Sequence, residues 1–124
     1  MPSPARRAEF AEYCAELLAS AGAVQLRRMF GGHGLYVDGL FVAIITGERL
    51  YLKADAETAP AFERAGGQRF SHRSRERVVS LQFWTPPAEA MDSPALMQPW
   101  GRLALAAALR ARSVPKPGRR RAAT

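Results

Sequence analysis

The sequence predicts an α+β fold in which an antiparallel sheet packs against helices. Three patterns carry that reading. An apolar stripe at helical spacing opens the chain, a meander of alternating strands with turn signals fills its middle, and a second helical stripe closes it. The 124 residues fit one domain, large enough to bury a core without a metal or disulfide.

Ser3-Pro4 reads as an N-cap and first helical residue. Phe10, Cys14, Leu17, Leu18 and Ala21 share one face of a helix over about residues 4–20. Glu9, Glu12 and Glu16 face away from it, and Gly22 stops it. On the following strand Val24, Leu26, Arg28 and Phe30 point one way, and Gln25, Arg27 and Met29 the other. Gly31-Gly32-His33-Gly34 interrupts this alternation and Leu35-Tyr36-Val37 resumes it. The residues allow either a tight turn between two strands or one long strand with a glycine bulge. Asp38-Gly39 is a hairpin signal, and Leu40 to Thr46 reads as an apolar strand that is central or buried on both faces. After a turn at Gly47-Glu48, Leu50 and Leu52 alternate with Arg49, Tyr51 and Lys53.

Asp55 is expected to cap a short helix that buries Phe62 and Ala65 and ends at Gly66-Gly67. Gln68 to Ser71 reads as a short strand, His72 to Arg77 as a polar turn, and Val78 to Trp84 as the last strand, stopped by Pro86-Pro87. Asp92 or Ser93 caps the closing helix, with Pro94 in its first turn. Leu96, Trp100, Leu103, Ala107 and Arg110 recur on one side, and Pro99 is expected to kink the helix or split off its first turn. The composition then shifts to Pro, Gly, Arg and Ala. The expected division is a domain over 1–111 and a disordered basic tail over 112–124.

The formal net charge of +7 is unevenly placed: residues 1–109 carry 12 basic and 11 acidic side chains, residues 110–124 six basic and none acidic. The high basicity therefore belongs to the tail. A single cysteine rules out an internal disulfide, the N-terminus has no apolar signal segment, and the longest apolar run, Leu40 to Ile45, is too short to span a bilayer. A cytoplasmic protein with no membrane partner is expected.

No pattern points to catalysis. A phosphate loop needs a helix directly after its glycines, but a strand follows Gly34. Cys14, His33 and His72 lack metal-ligand spacing, and Cys14 falls on the core stripe, where a nucleophile would be inaccessible. The acids lie on helix exteriors and turns. The expectation is no enzyme, no cofactor, no metal and no catalytic residue. Tyr36, Tyr51 and Phe83 with Arg27, Arg28, Arg49 and Lys53 could form a basic, aromatic strand face for nucleic acid. Because the body is nearly neutral, an ordinary exposed sheet face is the preferred reading. The tail is the better nucleic-acid candidate, through Arg112, Lys116, Arg119, Arg120 and Arg121, unless it only solubilises the terminus.

The run Arg28-Met29-Phe30-Gly31-Gly32-His33-Gly34-Leu35-Tyr36-Val37-Asp38-Gly39 resembles the signature of the TfoX N-terminal domain, of the TfoX/Sxy family. Leu50-Tyr51-Leu52-Lys53-Ala54-Asp55, the spaced Phe62, Gly66 and Phe70, the strand from Val79 to Pro86, and Trp100 with Leu103 to Leu109 extend the resemblance over roughly residues 8–111. The chain reads as a stand-alone N-terminal domain. The resemblance implies a two-layer, secretion-chaperone-like fold ordered helix, three strands, helix, two strands, helix, which favours one bulged strand over residues 24–37. It implies a non-enzymatic regulatory domain, a homodimer, that works with a protein partner such as the transcription machinery to control DNA-uptake (competence) genes. Arg28, Met29, Phe30, Gly31, Gly32, Gly34, Leu35, Tyr36, Asp38, Gly39, Tyr51 and Lys53 would be its structural and interaction residues.

Overall fold

Ser3 starts the fold: its side-chain oxygen accepts the Arg6 N–H at 3.2 Å, and Pro4 follows as the first helical residue. The computed structural model describes residues 3–29, 31–74 and 77–113. Their order is α1 (Pro4–Leu18), β1 (Val24–Met29), β2 (Gly32–Val37), β3 (Leu40–Thr46), β4 (Arg49–Lys53), α2 (Ala59–Arg64), β5 (Arg69–Ser74), β6 (Arg77–Trp84) and α3 (Pro94–Ser113). A 3₁₀ turn, Ala19–Ala21, carries α1 on to Gly22.

The six strands form one antiparallel sheet in the order β1-β2-β3-β4-β6-β5. The helices form the second layer. Ala11, Cys14, Leu17 and Leu18 of α1 and Met97, Ala104 and Ala108 of α3 meet Leu35, Val37, Ala43, Ile45, Leu50 and Leu52 of the sheet in one core. Phe62 of α2 is fully buried there, its ring 5.2 Å from that of Trp100. Burying such a ring contributes about 1.5–3 kcal/mol. The α+β, two-layer expectation holds. No helix among the described residues is long and apolar enough to cross a membrane.

Four expectations change in detail. Residues 24–37 are two strands, not one bulged strand: Val24 pairs with Val37 and Met29 with Gly32 across an antiparallel hairpin. Gly31, at φ 75°, makes the reversal in so few residues. The first strand group therefore has four members, not three. Asp55 does not cap α2 directly. Its Oδ1 accepts from the N–H groups of Glu57 and Thr58 at 3.1 and 3.2 Å, which closes a turn one step before the helix. Strand pairing also runs through much of the HRSRER stretch, to Ser74 on β5 and from Arg77 on β6. Finally, α3 is one continuous helix through Pro99, so its first turn is not split off. Its first turn is held at the N-terminus, where Ser93 Oγ accepts the Leu96 N–H at 3.2 Å.

Candidate interaction face of the sheet

Side chains alternate across a strand, so packing one face of the sheet on the helices leaves every second residue on the other. Gln25, Arg27 and Met29 of β1, Tyr36 of β2, Ile44 of β3 and Arg49, Tyr51 and Lys53 of β4 fall on that helix-free face by register. Strict alternation would put Phe41 with Ala43 on the core side. A bulge prevents this: Leu35 pairs with Ala43 but Tyr36 with Phe41, so Val42 is an extra residue and the strand changes phase. Phe41 thereby joins Tyr36, the ring centroids 5.1 Å apart. Phe83 lies 5.5 Å beyond Phe41, past the end of β4.

Cations close this row at both ends. The Arg27 guanidinium stands 5.0 Å from the Tyr36 ring centre, and the Lys53 ammonium 5.2 Å from that of Phe83. A second aromatic pair, Tyr51 and Phe70, meets edge to face at 5.0 Å. Arg49 stands beside it on β4 and donates to the Gln68 side chain. Tyr36, Phe41, Tyr51 and Phe70 are half-buried and none belongs to the helix-side core, whereas Phe83 is buried, 8% exposed. Leu81 on β6 is 39% exposed.

Acidic residues are kept out of the strands among the described residues. Seven of the twelve basic residues among positions 1–109 lie in strands: Arg27, Arg28, Arg49, Lys53, Arg69, Arg73 and Arg77. The acids sit on α1, α2, turns and the 3₁₀ segment Ala88–Asp92.

The signature residues divide by task. Gly31 makes the β1–β2 turn, and Asp38 and Gly39, at φ 51° and 82°, make the two-residue β2–β3 turn. Asp38 also ties that turn to the end of α1, its Oδ1 accepting the Ala23 N–H at 2.9 Å. A side chain on Gly32 would collide with the Ile45 carbonyl, and one on Gly34 would lie 2.6 Å from Met29 Cε. Leu35 is core. Met29, Tyr36, Tyr51 and Lys53 share the helix-free face, whereas Arg28 points from the opposite side of β1 and is exposed. Phe30 lies outside the described residues, as do Lys116, Arg119, Arg120 and Arg121; Arg112 is exposed in the last turn of α3.

Cys14 is buried and its thiol is pushed up to about 12 by desolvation, consistent with a core residue. The structure adds an ion pair that pattern reading does not reach. Arg110 grips Asp55 with two hydrogen bonds, 2.7 and 3.0 Å, and also lies 3.3 Å from Glu57. The Arg110 hydrogen bond holds the Asp55 carboxyl below its ordinary range, assisted by the Thr58 and Glu57 N–H groups against some desolvation. Phe41 and Phe70 were also invisible as members of the face. Pairing partners and a tally of charge by strand, rather than by segment, are the signals that find them.

The family model for the TfoX N-terminal domain matches residues 16–108, from the end of α1 through all six strands into α3. The chain is also 30% identical over 63 residues to DNA transformation protein TfoX1 of Aliivibrio fischeri. That alignment covers 51% of this chain and 30% of the relative, so the matched part is less than a third of the relative's length. With the family match spanning most of its length and the whole sheet, the chain belongs to the TfoX N-terminal domain family.

Proposed function

We propose that this chain is a non-enzymatic regulatory domain that acts in the cytoplasm in the control of DNA-uptake genes, by binding a partner through the helix-free face of its sheet. The observation that supports this most is the row on the face that the domain's own helices leave uncovered: half-buried Tyr36 and Phe41, with buried Phe83 beside them, flanked by Arg27 and Lys53. Aromatic rings that stay half-exposed beside cations suit recognition better than internal packing. The similarity to a DNA transformation protein supports the biological setting.

The test is genetic. In a host deleted for this gene, the wild-type chain should restore DNA transformation and transcription of the uptake genes. A Tyr36→Leu/Phe41→Leu chain, present at equal level, should not. Full restoration by the double variant would remove the face from the proposal. No restoration by the wild-type chain would remove the competence role.

A further inference from the structure

We infer that the helix-free face is a platform for single-stranded nucleic acid. The inference rests on that face being the interaction surface and names what it takes. Its chemistry narrows the choice of occupant. By register the face carries Arg27, Arg49 and Lys53, and among the described residues no strand holds an acid, so the face complements a polyanion. A second copy of the same face is disfavoured, because two-fold pairing would bring two faces together that each carry Arg27, Arg49 and Lys53 and no strand acid among the described residues. Charge alone would serve a duplex or an acidic protein equally. The rings would not: in a duplex the bases are already stacked inside, whereas an unpaired base offers its π-face to Tyr36 or Phe41.

The geometry suits this use. Tyr36 and Phe41 stand 5.1 Å apart on neighbouring strands, buried Phe83 of β6 lies 5.5 Å from Phe41, and the Val42 bulge is what turns Phe41 into line. Arg27 at one end and Lys53 at the other are placed to meet phosphates on either side of the stacked bases. From β1 to β5 the sheet spans five strand spacings of about 4.8 Å, which accommodates a segment at the short end of the about 4–16 nucleotides typical of such platforms.

The experiment is a fluorescence-anisotropy titration of the full chain with a labelled oligo-dT of about a dozen nucleotides and a duplex of equal length. Oligo-dT is expected to bind more tightly than duplex. Tyr36→Leu/Phe41→Leu should weaken oligo-dT binding about tenfold while leaving duplex binding nearly unchanged. Arg27→Gln, an exposed position, should weaken oligo-dT binding and flatten its salt dependence by about 0.7 in log–log slope. It keeps the test decisive if the ring variant fails to fold, which near-ultraviolet circular dichroism reports. Equal affinity for both nucleic acids, or ring and Arg27 variants that bind like wild type, would overturn the inference and leave the basic tail as the binder. Competition by polyglutamate of matched charge as effective as that by oligo-dT would overturn it in favour of an acidic protein. If oligo-dT does not bind at all while the ring variant still loses transformation, the face survives as an interaction surface and only the nucleic-acid assignment falls.

Discussion

At Gly31 the backbone passes through φ 75°, with open space where a side chain would stand. The penalty for another residue there is conformational and not steric. Gly31→Ala should therefore cost about 1–2 kcal/mol, and Gly31→Asn less, because Asn tolerates the left-handed region. Urea denaturation of both variants checks this ordering; equal losses would point to a contact instead. Gly34 makes the opposite case. Its space is taken by Met29 and by Phe41, so Gly34→Val should cost about 1–3 kcal/mol through overpacking and disturb the aromatic row. Cys14 offers a third measurement. Buried, with its thiol pushed up to about 12, it should resist a thiol reagent at neutral pH in the native protein and react fully in denaturant. The residue scale also shows where reading stopped. Cys14 on its stripe was legible because helical spacing alone decides its face. Phe41 was not: one extra residue, Val42, reverses the strand's phase, and nothing in a continuous apolar run marks where that happens.

The elements hold together through a few specific ties, and Asp55–Arg110 is the one most open to test. Asp55 follows β4, Arg110 lies near the end of α3, and the bidentate pair joins them. Because the Asp55 carboxyl is held below its ordinary range, its contribution is complete above the unfolded value, near pH 4, and is lost as pH falls through the lower folded value. Arg110→Gln should lower the thermal midpoint at pH 7 by a few degrees, and the gap to wild type should close in acid; a gap that persists there would mean lost packing and not lost charge. Pro99 gives a tie in reverse. It forfeits a backbone hydrogen bond inside a continuous helix, so Pro99→Ala should raise stability by about 1 kcal/mol or more in denaturant titration. Element order was largely readable, since caps, glycines and alternation are local signals. The exception is instructive. Both a hairpin and a bulged strand satisfy the residues around Gly31, and only pairing of Val24 with Val37 decides between them. Asp55–Arg110 was beyond local signals for the same reason: the partners are 55 residues apart.

For the molecule as a whole, layering explains why a nearly balanced charge count hid a basic face. A segment tally mixes the strands with α1 and the acidic turns between them, and only the fold sorts the two apart. The edges of the sheet, β1 and β5, remain the places where two copies could join without covering the aromatic row. A homodimer formed this way should persist in Tyr36→Leu/Phe41→Leu, and sedimentation at micromolar concentration that finds only a 13.6 kDa species would exclude it. The sorting of charge has one more consequence. Glu9, Glu12 and Glu16 on α1 and Arg27, Arg49 and Lys53 on the uncovered face are opposite charges on opposite sides of the sheet, and they contribute a dipole component directed from α1 toward that face. In the field of a polyanion that component adds a torque to the pull on the net positive charge, and it favours rotation toward the uncovered face while still about a Debye length away, roughly 8–10 Å in ordinary salt. The first collision then tends to be a correctly facing one.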